Sequence, residues 1–101
     1  MAFVCLLELG LHFPEGADLK GKRKELHSLK ANVQRRFGAA VAETDHHDLW
    51  QRSTLTLALV GGEQGPLAER ADALQRYVDA RLGDLTRWER RMLTTDDVWD
   101  E

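Results

Sequence analysis

The sequence predicts an α+β fold, a four-stranded antiparallel sheet with two helices on one face. Three observations predict it. Phe3, Cys5, Leu7, Leu9, Leu11 and Phe13 recur at every second position, the period of a strand with one buried face. The period turns helical twice, in Leu19, Leu26, Leu29, Val33 and Phe37 and again in Leu67, Ala71, Leu74, Val78 and Leu82. Two further alternating stretches lie between those helices and one follows them, which gives the order β-α-β-β-α-β. That order is the split βαβ, or ferredoxin-like, pattern.

The outer face of the first strand begins apolar, with Val4 and Leu6, and turns polar at Glu8 and His12. Pro14, Glu15, Gly16 and Ala17 break the run, and Asp18 is a good N-cap. Gly38 ends the first helix as a C′ residue would. Ala39 to Thr44 reads as a short strand, and Asp45, His46, His47 and Asp48 as a polar connection. In the next strand Leu49, Gln51, Ser53, Leu55, Leu57 and Leu59 alternate with Trp50, Arg52, Thr54, Thr56, Ala58 and Val60. The leucines are expected to face the helices. Gly61, Gly62 and Gly65 form a loop, Pro66 suits a first helical turn, and Gly83 stops the second helix. Leu85 to Leu93 is the last strand. Residues 1–93 thus read as a single domain, and residues 94–101 as an acidic C-terminal tail, solvated or folded back over basic surface.

The chain has 101 residues, 43% apolar and 31% charged, with eight Gly and two Pro. This is a globular composition of one-domain size. Ala2 to Leu7 is too short to span a bilayer and has no basic leader, so no membrane partner is expected. Cys5 is the only cysteine, which excludes an internal disulfide and a CxxC site. A small buried hydrophobe in the reducing cytoplasm is its simplest reading.

Net charge is −3, yet between Lys20 and Arg36 seven cations face one anion, Glu25. On a helix, Lys20, Arg23, Lys24, Lys30 and Arg35 fall within an arc of roughly 140°. Such a ridge suits phosphates, because each Lys or Arg that neutralises one releases a counterion. A solvated outer helix face reads the same way in sequence. Lys22 falls instead on the arc facing the sheet, where an ammonium needs a carboxylate. Glu43, Asp45 and Asp48 are the candidates.

His46 and His47 lie between carboxylates, a chemistry that suits zinc. Neighbours on an extended chain point in opposite directions, however, so no metal and no other cofactor is expected. Trp50 and Arg52 share one strand face, as a stacking and phosphate-contact pair or as a half-buried aromatic beside a surface cation. No GxxxxGK[ST] loop or GxSxG elbow is present. The central strand offers Thr54, Thr56 and Ala58 where an RNA-recognition motif wants Phe or Tyr. Acylphosphatases share the βαββαβ order but need an arginine after the first strand, where Phe13 to Asp18 has none. The chain is therefore not expected to be an enzyme.

Asp18-Leu19-Lys20-Gly21-Lys22-Arg23 resembles the SLKEKR-type motif of the bacterial YlxP-like family, a domain of unknown function. Ala42 to Ser53 resembles its second hallmark, roughly AEVxxxDLWQRA, and Leu7 to Pro14 also fits. Asp18 stands for the usual Ser and Gly21 for Glu. The resemblance implies a small ferredoxin-like protein associated with RNA or ribosomes, with no established reaction. Its hallmark positions fall on Lys20, Lys22, Arg23, Asp48, Trp50, Gln51 and Arg52. The expected function is thus a non-enzymatic accessory protein that binds RNA or a ribosomal particle. Lys20, Arg23, Lys24, Lys30, Arg35 and Arg52 would meet phosphates, and Lys22, Asp48, Trp50 and Gln51 would form the motif patch. The competing expectation is a homodimeric structural or regulatory domain, or a small-ligand-binding one. It would use the open sheet face (Val4, Leu6, Ala58, Val60) and the Asp45–Arg52 segment.

Overall fold

The computed structural model describes residues 1–14, 18–46, 48, 49 and 51–99. Strand β1 (Phe3–His12) leads into helix α1 (Leu19–Phe37), then strands β2 (Ala40–Asp45) and β3 (Arg52–Gly61). Helix α2 (Gln64–Leu82) passes through a 3-10 turn (Gly83–Leu85) into β4 (Thr86–Thr94) and the single turn α3 (Thr95–Val98). The sheet order is β2-β3-β1-β4 with every neighbouring pair antiparallel. This is the ferredoxin-like arrangement that the element order predicts.

One sheet face carries the core. Cys5, Leu7, Leu9, Leu11, Leu55, Leu57 and Leu59 lie beneath Leu26, Leu29 and Val33 of α1 and Leu67, Ala71, Leu74 and Val78 of α2, all buried. Asp18 caps α1 by accepting from the Gly21 amide at 2.5 Å. Gly38 ends the helix at φ 67°, the left-handed conformation that glycine adopts without a Cβ clash. Pro66 sits inside the first turn of α2, where a missing N–H costs nothing.

Three expectations need correction. The long strand starts at Arg52, not Leu49, and Leu49 is exposed rather than turned to the helices. The cause is a turn in which the Leu49 amide donates to the His46 carbonyl at 3.3 Å while His46 adopts φ 65°. Leu82 is half-buried, not part of the closed core. Residues 94–99 also carry more structure than a plain tail. Thr94 belongs to β4, and Thr94 and Asp97 cap α3 reciprocally. Thr95 is tied to Ala2 by its amide (2.8 Å) and its hydroxyl (3.0 Å). That anchorage puts α3 at β4, the opposite sheet edge from β2, against which α1 packs.

Candidate functional site

The basic ridge lies along the outer side of α1. Lys20, Arg23, Lys24 and Arg35 are exposed and Lys30 is half-exposed. None of the five forms an ion pair among the described residues; Arg35 donates to the Asn32 side chain at 2.5 Å. The only carboxylate of the helix, Glu25, is drawn to the opposite flank. Arg81 of α2 donates to it at 2.9 Å and to Ser28 at 2.7 Å. Burial pulls the Arg81 guanidinium down, but its hydrogen bonds to Tyr77 and Glu25 outweigh that, so its pKa is raised. Arg36 is spent on the same flank, stacked 4.6 Å over the Tyr77 ring. Contacts with α2 thus sort the charges of α1 and leave an anion-free ridge facing solvent.

Lys22 points the other way and is 2% exposed. Its ammonium donates to the carbonyls of His46 (2.8 Å) and Leu49, and lies 3.5 Å from a Glu43 carboxylate oxygen. Ser53, also buried, donates to the same oxygen at 2.6 Å. Of the three carboxylates in reach by sequence, Glu43 is therefore the partner. Lys22 fastens the β2–β3 connection to the start of α1, while the Phe13 amide donates to the Gln51 carbonyl at 2.7 Å. The two hallmark segments are brought together, with Lys22 as the rivet rather than as a group that meets solvent. Asp48 is exposed at this end and Gln51 half-buried. Trp50 and His47 lie outside the described residues.

Arg52 does not join the ridge. Its position opposite His12 places it on the open sheet face, away from α1. There it lines a concavity of about 490 Å³ together with Glu8, Gly10, His46, Arg87 and Glu89. His46 closes one side, with Nδ1 3.0 Å from the Thr54 hydroxyl. The sequence offered the open face and the Asp45–Arg52 segment as a small-ligand alternative but not Glu8, Gly10, Arg87 and Glu89, since Arg87 and Glu89 become neighbours of this segment only through the β1–β4 register. Among the described residues no three His, Cys, Asp or Glu side chains converge as a metal site would require.

A family model described as "Protein of unknown function (DUF503)" matches residues 4–92. The chain belongs to this family. No curated protein matches the sequence. Among solved structures, the DUF503 chain is similar to a de novo designed protein, Foldit4, at TM-score 0.60 and 12% identity over 93% of this chain and 98% of that one. It is also similar to 30S ribosomal protein S6 from Thermotoga maritima, at TM-score 0.51 and 8% identity over 92% and 91%. At such identities the likeness is one of fold. No helix of this DUF503 domain among the described residues is long and apolar enough to cross a membrane.

Proposed function

We propose that this chain is a non-enzymatic cytoplasmic accessory protein that binds RNA, free or in ribosomal particles, through the α1 ridge. One observation carries the reading: five cations stand on one solvent-facing side of a capped helix while its only carboxylate is held on the other side by Arg81. Lys20 and Arg35 are fifteen residues apart, about 22 Å of helix, long enough to follow several phosphates. We also read the two hallmark segments as those of a YlxP-like protein within the family. A fold shared with a 30S ribosomal protein is compatible with this reading.

The test is binding of the purified chain to ribosomal particles and to structured RNA at low and high salt. The triple charge reversal Lys20→Glu, Arg23→Glu, Lys24→Glu is the control. Salt-sensitive binding that disappears in the variant is the expected result. Binding indifferent to both salt and reversal would end the proposal.

A second reading, self-association through the apolar half of the open face, is favoured by Leu6 and Val60, which are 39% and 60% exposed. Sedimentation showing only monomer at micromolar concentration would remove it.

A further inference from the structure

The open-face concavity contains two choices that weaken the sheet, and they are adjacent. Gly10 sits in the central strand β1, where glycine costs stability through lost backbone freedom and an absent side chain. Its backbone does not require it, since Gly10 is not among the residues at positive φ. Packing does not require it either. A Cβ there would meet only Arg87 atoms, at 3.7 and 3.8 Å, which is ordinary contact. What the missing side chain provides is an opening on the open face between Arg52 and Arg87, which line the depressions on both sides of it.

The second choice is Glu8, which stands directly across from Glu89. Like charges in that position repel, and neither carboxylate has an ion-pair partner among the described residues. Two guanidinium groups therefore flank one end of the concavity and two carboxylates without an ion pair the other, with Arg91 beyond them in the adjoining depression. Gly10 and Glu8 are two residues apart on one strand, about 6.8 Å. Asp45 adds a third carboxylate to the wall, so a continuous polyanion is repelled here even though single anionic groups are not.

We propose that this concavity binds a zwitterionic ligand, with its anionic group over Gly10 between Arg52 and Arg87 and its ammonium group between Glu8 and Glu89. A peptide spans at most about 3.3–3.6 Å per residue, so an extended dipeptide is the shortest peptide that reaches both ends. The volume lies within the range of small-molecule pockets. The proposal is independent of RNA binding, because α1 covers the other face of the sheet.

The test is an amide NMR titration of the full chain with alanyl-alanine, its N-acetylated form and its C-terminal amide. Saturable shifts at Gly10, Thr54 and Arg87 are expected with the dipeptide, in the millimolar range for so small a ligand. Blocking either end removes a charge-assisted contact and is expected to weaken binding about tenfold or more. Gly10→Val fills the opening and abolishes the shifts, and Glu8→Gln weakens them in a chain of unchanged backbone. Absence of saturable shifts overturns the proposal. So does equal binding of a blocked form, or binding that survives both variants.

Discussion

Lys22 is the residue on which the α1 end of the molecule depends. Its ammonium is buried and shared between two carbonyls and Glu43. Lys22→Met keeps the length of the side chain but strands a carboxylate and two carbonyl oxygens, and breaking a buried pair from one side costs about 3–5 kcal/mol. Urea unfolding is expected to show a loss of that order, with part of it recovered in Lys22→Met/Glu43→Gln as a double-mutant cycle would report. A loss below about 1 kcal/mol would mean that the network contributes no more than a surface pair does. Gly10→Ala is expected to act in the opposite sense, gaining about 0.5–1 kcal/mol in the same assay, because the added Cβ fits. The sequence placed Lys22 on the buried arc and left three acids as partners. A bulge between Glu43 and Asp45 makes the choice. Glu43 pairs with inward-facing Leu55, whereas Asp45 pairs with outward-facing Thr54, and a register shift of this kind leaves no mark in the alternation pattern.

At the scale of elements, the two long helices were legible because each joins a sustained apolar stripe to a stop signal. A Cβ on Gly21 would lie 2.9 Å from the Asp18 carboxylate oxygen that caps the helix, so an alanine there requires a small shift of that flexible carboxylate while improving helix propensity. Asp18→Ala is expected to cost about 1 kcal/mol in the same unfolding assay. Helix α3 was not legible, since four residues carry no period. It is held by the Thr94–Asp97 capping box, in which hydrogen bonds from the backbone and hydroxyl of Thr94 keep the Asp97 carboxyl below its ordinary pKa. A depressed carboxyl contributes stability that is present above its unfolded pKa and lost as pH falls through the folded one. Protection of the Asp97 and Trp99 amides, taken as exchange relative to the intrinsic rate at each pH, is thus expected to be constant from neutrality down to about pH 4 and to fall below it. Asp97→Asn is expected to remove that acid-dependent step, and an unchanged step would assign it to another group.

At the scale of the whole molecule, charge is divided between two faces of one sheet. The chain carries −3 overall; setting aside the five ridge cations leaves −8 on the remainder, so the outer side of α1 is where a polyanion meets positive charge unmixed with carboxylates. Five phosphate contacts at about −0.7 each for single strands give a slope of about −3.5 in log affinity against log salt. Replacing Lys20, Arg23 and Lys24 with alanine is expected to reduce that slope by about two. Arg52 has the same charge, but it belongs to the other hallmark segment and lies on the open face. Arg52→Ala is therefore expected to leave the slope within about half a unit of wild type, less than one phosphate contact. A fall as large as that from a ridge residue would show that nucleic acid wraps the β2–β3 end and touches both faces. The alternation of Arg52 with inward-facing Ser53 already put its side chain on the open face in the sequence. What the alternation does not carry is the placement of that face relative to the α1 ridge, which needs the packing of α1 on the sheet.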